Sequence, residues 1–175
     1  RIDALNRIRQ ALHEVSPFRS EPVDCVLWVQ ADQVQGNDYN PNHVAPPEMK
    51  LLEHSIAADG YTQPIVAYDE GDRYVIVDGF HRHRVGKESA RVRKRVRGYL
   101  PIAVIRPDRA SLRDRMAATI RHNRARGVHG VMPMTEVVAT LIREGWTDSD
   151  IAKELGMAPH EVLRFKDRKS TRLNS

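Results

Sequence analysis

A chain of 175 residues with 41% hydrophobic and 29% charged side chains can bury one compact core and a smaller second one, which excludes disordered and fibrous classes. Its net charge of +5 permits nucleic acid or another polyanion as partner without requiring one. The apolar runs fall short of a membrane span and no signal-peptide core opens the chain, so a cytoplasmic location without a membrane partner is expected, and the single Cys25 leaves no internal disulfide.

In chain order, Ile2, Leu5, Ile8, Leu12 and Val15 recur at helical spacing and predict an amphipathic helix over 2–15, whose apolar stripe needs a surface to cover. Val23 to Val29 is rich in β-formers and predicts a strand, followed by a loop dense in turn residues over 37–42. Pro46-Pro47 opens a second helix, with Glu48 in its first turn, ending at Asp59-Gly60. Gln63 to Tyr68 and Arg73 to Val77 predict two strands joined by a tight turn, and Leu100 to Ile105 predicts another after the basic stretch Arg91 to Arg97. That stretch alternates apolar and basic residues, which suits a solvated face or a nucleic-acid contact. Beyond about residue 108 the pattern is helical: 110–121, 133–143, a helix capped at Thr147 and closed by Gly156, and a last one over 159–166. Helix, glycine-containing turn, helix is the spacing of a helix-turn-helix. The final residues, 167–175 (DRKSTRLNS), read as the translation of a common sequencing adapter and are expected to be non-native; without them the net charge falls from +5 to +3. The start at Arg1 is likewise expected to reflect processing or loss of an initial Met.

The chemistry concentrates where the strand ending in Asp78 meets Gly79 and a helix start crowded with His and Arg. Gly79 allows a close turn, Arg82 can fork onto phosphate oxygens, His81 can donate or shuttle a proton, and Asp78 can hold a ribose hydroxyl or a magnesium ion. A plain turn with solvated basic residues fits the same local pattern. His81 and His83 are two apart and face different ways on a helix, so a metal pair is not expected. A second cluster follows at 121–127, where Asn123 offers a carbonyl to a magnesium-bound phosphate and Arg126 a second fork, or where a basic helix end simply complements its dipole. The turn Gly60-Tyr61-Thr62-Gln63-Pro64 can read a base edge with its backbone, or merely connect helix to strand. Cys25 lies in an apolar strand context and reads as a small buried hydrophobe.

These three stations followed by a helix-turn-helix resemble the ParB/sulfiredoxin superfamily. Its G-x-x-R-x-R motif falls on Gly79, Arg82 and Arg84, its N-x-x-R motif on Asn123 and Arg126, and its base-contacting turn on Thr62-Gln63-Pro64. The wording VDGFHR, TIRHNRARG and DGYTQPIV is similar to the IbrB-like branch of prophage-associated regulators, which occur beside a phosphoadenosine-phosphosulfate reductase-like partner. The resemblance implies a small mixed sheet with helices, an α/β (α+β) nucleotide-binding domain over 23–107, preceded by the 1–17 helix and followed by an all-helical region over 108–166 that is cut short in its helix-turn-helix. It implies CTP or another nucleoside triphosphate with magnesium as ligand, Asn123 reaching the metal through the nucleotide, and DNA as partner, met by Pro159, His160 and Arg164. A homodimer and a nucleoid-associated location follow from the same likeness.

Two departures shift the expectation from enzyme to regulator. Sulfiredoxins carry Cys where this chain has Phe80, so sulfinic-acid repair is not expected; ParB carries Glu at the positions of Phe80 and His122, so hydrolysis is expected to be weak or absent. No catalytic residue stands out, with His81 and Asp78 the nearest candidates. The expected function is a nucleotide-responsive DNA-binding regulator, acting as a transcriptional co-activator. The alternatives are a small-molecule phosphotransferase using Glu48 or Asp78 as base, and a partner-binding adaptor with a vestigial pocket.

Overall fold

The structure is a computed structural model that describes residues 1–36, 46–105 and 134–173, and these fall into two compact units, the second beginning with the residues from 134 onward. In the first, β1 (Val26–Gln30), β2 (Val34–Gln35), β3 (Ile65–Asp69), β4 (Tyr74–Asp78) and β5 (Tyr99–Val104) form one mixed sheet in the order β1-β5-β3-β4-β2. β1 is antiparallel to β5 and β3 to β4, whereas β3 with β5 and β2 with β4 are parallel. Alternate residues along the strands, Leu27 and Val29, Ile65 and Ala67, Leu100 and Ile102, turn to one core that Val34 and Ile76 complete.

Among the described residues four helices accompany the sheet: α1 (Ile2–Glu14), α2 (Pro46–Asp59), α3 (Phe80–Glu88) and α4 (Ala90–Arg95). Ile56, Val85 and Val92 knit α2, α3 and α4 together, with Met49 and Leu52 packed alongside. The stretch read as alternating basic residues is the short helix α4. Ser89 caps it, its side chain accepting from the Val92 amide and donating to Glu53 Oε1 at 2.5 Å, and only Val92 needs burial to hold it.

The expected strand over Val23–Val29 begins later, because Pro22–Asp24 is a 3₁₀ turn whose Asp24 carboxylate pairs with His13 and Ser16. The stripe of α1 expected to be buried is instead exposed at Leu5, Ile8, Leu12 and Val15. α1 docks through polar groups on the open edge of β1: Asn6 Nδ2 donates to Trp28 O at 2.7 Å, Trp28 N–H donates to Asn6 Oδ1 at 3.0 Å, and Arg9 Nη1 donates to Val26 O at 2.6 Å. An edge strand offers unpaired backbone groups, and satisfying them outweighs covering apolar side chains here.

The second unit holds α5 (Met134–Arg143), α6 (Asp148–Leu155) and α7 (Pro159–Leu173) around a core of Val137, Val138, Leu141, Trp146, Ile151, Leu155 and Val162. Thr147 Oγ1 accepts from the Asp150 amide at 3.2 Å and caps α6, and Gly156 at φ 60° closes it. Glu161 Oε2 accepts from the Ala158 amide at 2.8 Å at the start of α7, which begins four residues after the last residue of α6. The predicted loop over 37–42, the predicted helix over 110–121, and Asn123 and Arg126 lie outside the described residues.

Candidate functional site

β3 and β4 run antiparallel with Val66 opposite Asp78, so the residues entering β3 lie beside those leaving β4. Two turns far apart in sequence are thereby neighbours. Asp78 ends β4 almost fully buried, and Gly79 follows at φ 91° as the N-cap of α3. A Cβ at Gly79 would stand 3.2 Å from Ile65 Cα and 2.9 Å from the Arg82 guanidinium, so glycine is required both for the left-handed backbone and for space. One turn into α3, Arg82 folds back over this glycine. Its Nη2 donates to Asp78 Oδ2 at 3.2 Å and its Nη1 to Gln63 Oε1 at 2.7 Å. The guanidinium plane is therefore fixed across both turns, at the end of α3 where the helix dipole is positive and the first turn carries no acid.

The remaining predicted residues are distributed around this fork. Thr62 and Gln63 are exposed and Pro64 half-buried in the 60–64 turn. His81 is half-buried, its ring edge-on to Phe80 at 5.8 Å. Arg84 leaves on the outer side of α3, where Nε donates to Glu88 at 2.9 Å, away from the Asp78–Arg82 pair. Glu48 is exposed on α2. His83 is buried with Nε2 at 3.0 Å from Val34 O, and burial, with the charge of Lys87 behind it, pushes its pKa down. Cys25 is half-buried and burial pushes its thiol pKa up, away from the reactive thiolate. On α7, Pro159, His160 and Arg164 are all exposed, and His160 and Arg164 are four apart on one face. Among the described residues no cluster of His, Cys, Asp and Glu is arranged to hold a metal ion, and no helix is long and apolar enough to cross a membrane.

Residues 18–120 match the model of the ParB N-terminal domain, and residues 129–171 that of the IbrB-like C-terminal HTH domain. The chain belongs to the ParB N-terminal domain family. A relative of this ParB-like protein, the uncharacterized protein YbdM of Escherichia coli (strain K12), is 56% identical over 167 residues, 95% of this chain and 78% of YbdM. Among solved structures, C-terminally truncated chromosome-partitioning ParB from Caulobacter crescentus, complexed to the centromeric parS site, shares the fold at a TM-score of 0.51 and 19% identity, over 79% of this chain and 68% of that one. The same protein complexed with CTP-γ-S gives a TM-score of 0.46 and 21% identity, over 80% of this chain and 76% of the other.

Two residues that support the fork of the ParB-like domain carry no motif signal. Tyr61 donates from its phenol to Arg82 O at 2.8 Å, and burial pushes its pKa up to about 12, so it stays a donor. Gly86 on α3 leaves room for that phenol and for Leu100, both of which a Cβ would strike. A tyrosine beside a Gln-Pro turn was the available hint for the first; the second depends on a contact between elements and has none in sequence.

Proposed function

We propose that this ParB-like protein is a nucleotide-responsive DNA-binding regulator, with a nucleoside triphosphate held at the Asp78–Arg82 turn and DNA met by α7. The observation that carries the reading is the Arg82 fork, which ties Gln63 and Asp78 from two separate turns into one cationic, glycine-floored site. A phosphate facing Arg82 would also face the amide end of α3, and by the motif likeness Thr62-Gln63-Pro64 would contact the base. By the motif likeness alone Asn123 and Arg126 would complete the set, Asn123 helping to hold a magnesium ion that would offset phosphate charge. CTP is the first nucleotide to try on the same ground. Arg84, engaged with Glu88 on the outer side of α3, is assigned to the nucleotide by the motif likeness alone.

The DNA side of the proposal rests on the HTH family match and on exposed His160 and Arg164; the fold neighbour in complex with parS is consistent with it. Asp78 accepts from Arg82, which suits a positioning carboxylate better than a general base and favours a regulator over a phosphotransferase. The cytoplasm, a homodimer and a reductase-like partner protein belong to the same proposal, as does the domain division at about residue 108 with a non-native tail from 167. Resequencing the source locus decides the tail.

Calorimetry tests the nucleotide. Titration of CTP, and separately ATP, with magnesium into the full chain is expected to give saturable heat with at least one, and Arg82→Ala to abolish it while retaining the fold. No heat with any nucleotide contradicts the reading.

A further inference from the structure

A second cationic surface lies on the first unit, apart from the Arg82 fork. α4 and the turn after it expose Arg91, Arg93, Lys94, Arg95 and Arg97, with no acid between Ser89 and Tyr99. Several basic residues elsewhere find acids, as Arg73 does with Glu70, Arg84 with Glu88 and Lys166 with Asp148. Among the described residues no acid pairs with Arg91, Arg93, Lys94 or Arg97. Arg95 is held differently, its Nη1 donating to Ile56 O at 3.1 Å and Ala57 O at 2.9 Å, which fastens α4 to the end of α2.

The chain then makes an unusual turn. Arg97 is the one non-glycine among the described residues with a left-handed backbone, at φ 56°, followed by Gly98 at φ 78°. A large side chain in that conformation is disfavoured, and such positions concentrate where a side chain has to be aimed. Arg97 here lines a groove of about 470 Å³, whose other walls include Trp28, Tyr61, Tyr99, Val96 and Arg95. The groove has the volume of a small-ligand site. It combines aromatic faces with cations at its rim, and the unpaired cations continue from it along α4.

We propose that this groove and α4 bind single-stranded nucleic acid, one base entering among Trp28, Tyr61 and Tyr99 while the flanking phosphates meet Arg97 and the exposed cations of α4. Aromatic faces stack any base, and a line of cations tracks a backbone without reading sequence. A free nucleotide would use the groove but leave Arg91 and Arg93 without a role. A duplex would keep its bases paired and out of a cavity that admits one. Asp59, the acid on the groove wall, is placed to accept from the exocyclic amine of a base. This surface shares Tyr61 with the support of the Arg82 fork but needs neither the Arg82 side chain nor the HTH unit.

The test uses the full chain and a labelled single-stranded oligonucleotide of about ten nucleotides. Anisotropy is expected to show saturable binding, and tryptophan fluorescence to be quenched in the wild type but not in Trp28→Phe, because the other tryptophan, Trp146, is buried in the second unit. Arg93→Ala with Arg97→Gly, the glycine keeping the left-handed turn, should lower the affinity about tenfold or more at ordinary salt. Lys50→Ala and Arg73→Ala, at exposed cations outside the groove, should leave binding unchanged. Equal binding by the Arg93/Arg97 variant, or saturation without quenching of Trp28, overturns the proposal. So does displacement of the oligonucleotide by polyglutamate of equal charge with the same quenching, which would assign the surface to acidic peptides.

Discussion

Arg82 joins two turns because its guanidinium is planar and multiply donating: one edge reaches the carboxylate of Asp78, the other the amide oxygen of Gln63. Gly79 makes the geometry possible. Gly79→Ala is expected to destabilise the first unit by about 1–2 kcal/mol through its left-handed backbone alone, and to weaken nucleotide binding further by displacing the guanidinium; thermal unfolding with calorimetry on the same variant checks both. His83, adjacent to Arg84 in the sequence motif yet buried against Val34 rather than exposed, serves the fold. Its pKa is lowered from 6.5 by burial, so the unfolded chain takes up the proton more readily than the folded one. The stability that neutral His83 contributes is present above that unfolded value and lost as pH falls through the lower folded one. Chemical denaturation from about pH 7 to about pH 5 should show a falling midpoint, and His83→Gln should flatten that fall; an unchanged slope would contradict the assignment.

At the scale of elements, the unexpected feature is α1, which docks by Asn6 and Arg9 rather than by its apolar stripe. Asn6→Ala should cost about 1–2 kcal/mol by stripping partners from the Trp28 backbone, whereas Leu12→Ser at an exposed position should stay within about 0.5 kcal/mol; hydrogen exchange at β1 and denaturation midpoints distinguish them. This arrangement was not legible in sequence, because an i, i+3, i+4 apolar pattern reports which face is apolar and not which face is used. β3, β4 and β5 were legible because β-branched and aliphatic residues there face one core at every second position, Ile65 with Ala67 and Leu100 with Ile102. β2 was not: two residues, Val34 and Gln35, are held by pairing with Tyr74 and Val75 and by His83, all distant in the chain. α4 hid behind its composition, since Arg at alternate positions mimics a strand while a single buried Val92 and the Ser89 cap suffice to make a helix. In the candidate site, Gly79 and Arg82 are marked by motif, but the partnership of Arg82 with Asp78 depends on the fold of the turn, which no spacing reports.

For the whole molecule, a ParB N-terminal domain and an IbrB-like HTH domain share one chain, which would give the proposed ligand site and DNA reader a covalent connection. If nucleotide alters DNA affinity, DNA must alter nucleotide affinity by the same factor, so coupling is measurable from either side. The central claim is narrower: the 60–64 and 79–83 turns form one nucleotide site. Amide hydrogen exchange on the full chain, with and without the magnesium nucleotide that gives calorimetric heat, tests it most directly. The account predicts that both turns gain protection together and that Arg82→Ala removes the gain from both. Protection confined to one turn, or appearing only elsewhere in the chain, would contradict it.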